Sequence, residues 1–142
     1  MQQDKNWNDH IKMGDFEFNS RIVMASLTRT RCDPKDGIPT DLVKEYYTQR
    51  AGAAFILTEA SSWSQRGHSF PGAANLYTKE HAEGWKKVND AVHEKGGKIF
   101  IQMFHGGRAT NPGVNGGLDS WAPSAIAIRD NMYNGQPHPV PK

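Results

Sequence analysis

Three short runs of nearly uninterrupted apolar residues limit what this chain can become: Arg21-Ile22-Val23-Met24, Ala53-Ala54-Phe55-Ile56-Leu57-Thr58 and Lys98-Ile99-Phe100-Ile101-Gln102-Met103. Each has the length of a strand and lacks the polar alternation of a half-exposed one, so each needs cover on both faces. Between the first and second runs, Thr40 is placed as an N-cap with Asp41 in the first turn. Leu42, Val43, Tyr46, Tyr47 and Ala51 then recur at helical spacing up to a stop at Gly52. Between the second and third, Thr78 caps a helix that carries Trp85, Val88, Ala91 and Val92 on one face, with Lys95 in its last turn and Gly96-Gly97 as the stop. Strand, helix, strand, helix, strand predicts an α/β fold with a parallel sheet and right-handed crossovers.

Ahead of the first run, Ile11-Lys12-Met13 and Phe16-Glu17-Phe18 flank Gly14-Asp15, which predicts a small hairpin. The segment from Glu59 to about Tyr77 reads as a long loop, and nearly forty residues after Met103 show no helical pattern. Ligands in α/β folds bind beyond the carboxyl ends of the strands, which is where these loops fall. At 142 residues the chain reads as one domain. It is too short for a complete eight-unit α/β barrel, which takes about 250 residues.

The formal charge of +2 is spread along the chain, which argues against nucleic acid as a partner. No apolar stretch reaches the roughly 20 residues of a membrane helix. The start, MQQDKNWNDH, resembles neither a secretory leader nor a transit peptide, so a cytoplasmic location is expected. Cys32 is the only cysteine, which excludes an internal disulfide, suits a reducing compartment, and gives no zinc site or nucleophile signature.

Polar side chains stand at or just beyond the carboxyl ends of all three runs: Thr28, Thr58-Glu59 and Gln102. A hydroxyl and a carboxamide donate or accept hydrogen bonds without charge, which suits a planar heterocycle bearing carbonyl and N–H groups. Taken singly, each is more simply an ordinary strand-end residue, since Thr and Gln are common there. His105-Gly106-Gly107-Arg108 follows the third run and reads either as a backbone approach to a ligand or as an ordered turn; it matches no phosphate-binding glycine pattern. His93 reads as a helix C-terminal residue, Tyr46, Tyr47 and Trp85 as core, and His10, His68, His81 and His138 show no partner pattern. Glu59 has no acidic partner at a spacing suited to glycosidase chemistry.

Taken in order, Arg21-Ile22-Val23-Met24-Ala25-Ser26-Leu27-Thr28-Arg29, Tyr46-Tyr47-x-x-Arg50-Ala51-Gly52, Leu57-Thr58-Glu59-Ala60, Pro71-Gly72, Gly84-Trp85-Lys86, the stretch from Ala91 to Gln102, His105-x-Gly107-Arg108 and Ala122-Pro123-Ser124-Ala125-Ile126 resemble the Old Yellow Enzyme family. The likeness runs from about Ile11 to the end. It implies the amino-terminal third of an FMN-dependent (β/α)8 TIM barrel: the leading hairpin, closing the amino-terminal mouth, and the first three βα strands, with residues 1–142 part of a single domain.

The resemblance further implies flavin contacts from Ser26, Leu27, Thr28, Ala60 and Gln102. The backbone at Ser26 and Leu27 would lie along the isoalloxazine, the Thr28 hydroxyl near O4, the Ala60 amide near O4 and N5, and the Gln102 carboxamide on N3 and O2. Ala25-Ser26 departs from the Ala-Pro or Pro-Pro of many members, and Phe104 stands where Trp often lines the substrate pocket. The implied reaction uses NADPH (or NADH) as hydride donor to reduce the C=C bond of an α,β-unsaturated carbonyl. The family's substrate-holding His/His or His/Asn pair, Tyr proton donor and phosphate loops belong beyond Lys142, so no catalytic residue is expected within this chain, and no metal. Three strands with open edges imply self-association or a second chain completing the barrel. The alternative is a non-catalytic remnant acting as a structural or partner-binding subunit.

Overall fold

The computed structural model describes residues 6–132 and 135–142. The first five residues, on which part of the expectation about targeting falls, lie outside them. The leading hairpin pairs β1 (Ile11–Met13) with β2 (Phe16–Phe18), and Gly14 turns between them at φ +59°. Next come α1 (Asp41–Thr48), β3 (Ile56–Ser62), β4 (Ala74–Asn75), α2 (Lys79–Glu94) and β5 (Ile99–Phe104). In the parallel sheet β3 is central, with β5 along one edge and β4 beside its carboxyl end on the other.

The expected first strand, Arg21–Met24, is reduced to a single parallel bridge from Met24 to Ile56. Its backbone still joins the sheet, because Met24 N–H donates to Phe55 C=O (3.0 Å) and Leu57 N–H donates to Met24 C=O (2.9 Å). These bonds use one edge of the segment only. Among the described residues no strand lies on its other side, and on this side the remaining bond is Ala54 N–H donating to Ile22 C=O (2.8 Å). The expected loop after Thr58 is partly strand as well: β3 runs on to Ser62, and β4, which the sequence reading did not contain, pairs with its last residues.

Helix α2 begins and ends where expected. The Thr78 hydroxyl accepts from His81 N–H and the His81 ring accepts from Thr78 N–H, a reciprocal capping box, while Gly96 leaves the helix at φ +74°. Helix α1 starts after Thr40 as expected but ends at Thr48, four residues before Gly52. The Thr40 hydroxyl does not cap it and donates instead to Arg31 C=O (2.7 Å). Leu42, placed on the apolar face by its spacing, is exposed, whereas Val43 and Tyr47 are buried.

Both helices pack on one face of the sheet, where Val43, Tyr47, Ile56, Trp85, Val88 and Val92 form the core with Ile99 and Ile101 of β5 at its margin. A fully buried side chain of this size contributes about 1.5–3 kcal/mol. The opposite face carries Phe100, Gln102 and Phe104, since alternate residues of a strand point to opposite sides. At its amino-terminal end Phe16 meets Phe100 edge-on (5.9 Å) and Phe18 meets Phe55 (5.3 Å), so the hairpin covers that end alone. The carboxyl end is left to the loops. Among the described residues no helix is long and apolar enough to cross a membrane.

Candidate functional site

The carboxyl end of the sheet owes its shape to an irregularity in β3. Leu57 pairs with Phe100, but the next pairing is Ala60 with Gln102, so β3 spends one residue more than β5 over the same interval. Such a bulge re-aims side chains. Here Thr58 and Glu59 are both buried. The Thr58 hydroxyl donates to Glu59 C=O (2.9 Å) and accepts Gln102 N–H (3.2 Å), a side chain standing in for a backbone ladder partner.

Glu59 turns towards α1. Tyr47 Oη accepts Glu59 N–H at 2.7 Å and donates to Glu59 Oε1 at 3.3 Å, while Glu59 Oε2 accepts Arg29 N–H at 3.1 Å. Burial pushes the Glu59 carboxyl above the usual carboxylate range, and these two donors pull the other way. The carboxylate thus ties the loop after Thr28 to helix α1. Thr30, one residue beyond that tie, has φ +52°, a left-handed conformation uncommon outside glycine. Cys32 is buried in the core, where desolvation raises its thiol well above the usual range, in keeping with the absence of a nucleophile signature.

Beyond the bulge the expected site residues come together on the face away from the helices. Ala60 and Ser62 are in register with Gln102 and Phe104. Thr28, Ala60, Ser62, His68, Phe70 and Phe104 line a cavity of about 150 Å³. Gln102 lies outside that lining, and its Oε1 accepts a hydrogen bond of 2.7 Å from Ser26 Oγ. Leu27 is 55% exposed between Ser26 and Thr28.

Of the glycines after β5, Gly106 packs closely on the protein itself, whereas Gly107, at φ +54°, lies open beside a pocket that both line with Arg108. A Cβ on Gly106 would lie 2.0 Å from Ser69 Oγ, and Gly106 N–H donates to Gly67 C=O at 3.1 Å. Gly107 N–H donates to His105 Nδ1 (3.0 Å), which orders the turn at His105–Arg108. The His105 ring lies against Trp63 and is parallel to Trp121, and burial lowers its basicity.

Two histidines without a pattern in the sequence find partners in the structure. His81 caps α2 and its Nε2 sits 2.9 Å from Asp36 C=O. His68 is buried on the cavity wall, with Asn75 Nδ2 3.3 Å from its Nδ1 and its basicity lowered by burial. The exposed His93 stands in the last turn of α2 as expected. Among the described residues no cluster of His, Cys, Asp or Glu is fit to hold a metal ion.

A parallel sheet with helices on one face, a hairpin over its amino-terminal end and polar groups gathered at its carboxyl end is the architecture of an α/β-barrel ligand site. A sequence profile of the NADH:flavin oxidoreductase / NADH oxidase family matches residues 9–135. Over 141 residues the chain is 43% identical to the "Probable flavin mononucleotide-dependent alkene reductase" of Leishmania infantum, covering 92% of this chain and 38% of that protein. The structure of the Old Yellow Enzyme homologue from Zymomonas mobilis superposes with a TM-score of 0.88 at 38% identity, over 97% of this chain and 39% of that one. Morphinone reductase in complex with tetrahydroNAD superposes with a TM-score of 0.86 at 31% identity, over 98% of this chain and 40% of the other.

The chain therefore belongs to the NADH:flavin oxidoreductase / NADH oxidase family, whose structural neighbours here are Old Yellow Enzymes. It spans about two-fifths of the length of these relatives, and its fold is the amino-terminal part of their barrel, open among the described residues.

Proposed function

We propose that residues 1–142 are the amino-terminal portion of a single FMN-binding barrel domain, and that the assembled barrel is an NAD(P)H oxidoreductase reducing the C=C bond of α,β-unsaturated carbonyl compounds. The observation that carries this reading is the convergence of Thr28, Ala60, Gln102 and Phe104 at the carboxyl end of one sheet face. The alkene-reductase name of the Leishmania relative and the tetrahydroNAD bound to morphinone reductase support the reaction class and the nicotinamide donor.

The residues fit a flavin ring by their chemistry. Leu27 offers exposed apolar surface. Thr28 is exposed, and Gln102 offers a carboxamide whose Nε2 has no hydrogen-bond partner among the described residues. A planar ring with apolar faces and a hydrogen-bonding edge matches that set. FMN, when bound, supplies hydride transfer between NADPH or NADH and the enone.

The chain's own part is to bind and orient. Gln102 Nε2 would donate to a carbonyl on the pyrimidine edge of the ring, and the Thr28 hydroxyl would donate near O4. Ser26 and Leu27 would lie along the ring through their backbone, Ala60 would present its amide, and Phe104 would shape the substrate side. No group of this chain is assigned the proton-transfer step. The open outer edge of β5, together with exposed Ile22, Leu27, Met103 and Ile126, supports association with a second copy or a second chain that completes the sheet. A cytoplasmic location accompanies this reading, since the single thiol suits a reducing compartment.

The test is FMN retention by the purified chain on desalting, with flavin absorbance set against protein, followed by fluorescence titration. Wild type is expected to retain flavin, and Gln102→Ala and Thr28→Ala each to weaken binding by about 2- to 10-fold, the worth of one hydrogen bond. No flavin above a control protein, or equal retention by both variants, overturns the reading.

A further inference from the structure

The segment that carries Ser26, Leu27 and Thr28 is tied to the fold at its two ends and, between them, at one place. Its entry is fixed where Met24 joins the sheet. Its exit is fixed where Arg31 C=O accepts the Thr40 hydroxyl (2.7 Å) and Cys32 N–H donates to Gly72 C=O (3.1 Å). From Ala25 to Thr30, among the described residues, the backbone reaches a distant element through Arg29 N–H, which donates to Glu59 Oε2 at 3.1 Å across 30 residues of chain. The Thr30 N–H stabilises the same carboxylate. Arg29 N–H belongs to the rigid peptide that leaves Thr28, so its partner fixes the plane of that peptide and with it the ψ torsion of Thr28.

Glu59 suits that task by its chemistry and by its own support. The Tyr47 oxygen accepts Glu59 N–H (2.7 Å), which can only donate, so the Tyr47 proton is left for Glu59 Oε1 (3.3 Å). Donors on both oxygens call for a group that only accepts, which an ionised carboxylate is. Glu59 and Tyr47 are both buried, so the anchor is set in the core. Thr30 holds φ +52°, and turns with a left-handed residue direct successive N–H groups at one anion. The unusual turn and the buried acceptor are two parts of one arrangement.

We propose that Glu59 is a positioning residue for the site: it fixes the turn after Thr28, and so the direction in which Thr28, with Ser26 and Leu27 before it, faces the ligand. The identity of that ligand rests on the flavin reading, whereas the anchoring of the turn stands without it. Glu59 lies outside the cavity lining and acts only through the peptide it holds.

The experiment uses the full chain, two variants of Glu59 and two readouts: the assigned backbone amide spectrum, and FMN affinity by fluorescence quenching. Glu59→Met keeps the length of the side chain and removes both acceptors. Glu59→Gln keeps one acceptor for Arg29 N–H and can seat its NH₂ on the second lone pair of Tyr47 Oη. In Glu59→Met the Thr28 and Arg29 amide signals are expected to move while those of α2 stay. FMN binding is expected to weaken by about 2- to 10-fold, with a smaller loss from the same change once Thr28 is alanine. In Glu59→Gln the Arg29 amide proton is expected to shift upfield, because a neutral carbonyl is a weaker acceptor than a carboxylate.

Thr28 and Arg29 signals that stay in place in Glu59→Met overturn the proposal whatever FMN does. An equal loss of affinity in the Thr28→Ala background also overturns it, since Glu59 would then act on the fold at large. An unmoved Arg29 amide in Glu59→Gln overturns it even where Glu59→Met fails to fold. If wild type takes up no FMN while these signals move, the flavin reading falls and the placing of Thr28 by Glu59 stands.

Discussion

Replacing Tyr47 by phenylalanine tests the link between the core and the site. The Tyr47 side chain is 0% exposed, and its hydroxyl both accepts Glu59 N–H (2.7 Å) and donates to Glu59 Oε1 (3.3 Å). Tyr47→Phe leaves the ring in place and removes one oxygen. A buried backbone N–H is then orphaned, at a cost of about 1–3 kcal/mol, and a buried carboxylate loses one of its two donors, for about 1 kcal/mol more. The expected destabilisation of about 2–4 kcal/mol corresponds to a fall in Tm of roughly 6–12 °C for a domain of this size.

The sign of its pH dependence follows from Glu59. Burial already raises that carboxyl, so the folded state holds its proton to higher pH than the unfolded state and stability falls as pH rises through the interval between the two values. Removing a donor to the ionised form raises it further. Thermal unfolding at fixed protein concentration, followed by circular dichroism from acid to neutral pH, should show a Tyr47→Phe penalty that grows towards neutrality. A penalty below about 0.5 kcal/mol, or one equal at acid and neutral pH, refutes the reasoning.

Gly37→Ala should destabilise by at least about 2 kcal/mol in urea titration, because Gly37 has φ +76° and a Cβ there would lie 2.5 Å from Asn75 Nδ2 and 2.6 Å from Ala73 C=O. His68, buried with lowered basicity, contributes stability that is full above its ordinary value near 6.5 and is lost as pH falls below it. His68→Asn should therefore flatten the Tm profile between about pH 7.5 and 5, and an unchanged slope would assign the loss to other groups. Sedimentation should find the chain in species larger than its 15.8 kDa monomer; a monomer at every concentration that also unfolds cooperatively would show that the β5 edge needs no partner.

What local sequence determined here is what local physics decides. Thr78 and Gly96 set the ends of α2, Gly14 sets the hairpin turn, and the runs at Ile56 and Ile99 became strands because their apolar residues had to be covered on the helix side. The likeness to a flavin-enzyme family was legible in the order of motifs, and the fold bears it out over nearly the whole chain.

Tertiary structure decided the rest. The segment Arg21–Met24 has strand composition, yet its pairing rests on Ile22 and Met24 alone and registers as a single bridge to Ile56. Short β4 has no signal of its own and exists because β3 runs past its helices far enough to offer an edge at Ser61 and Ser62. Spacing gave Glu59 no partner, because its partners Tyr47 and Arg29 reach it only through the bulge that turns it towards α1. Ser26 and Gln102 stand 76 residues apart, and no local pattern announces a hydrogen bond between them. Propensity and periodicity act over a turn of helix or a few strand residues; register, bulges and cross-strand side-chain bonds are settled only when distant segments pack.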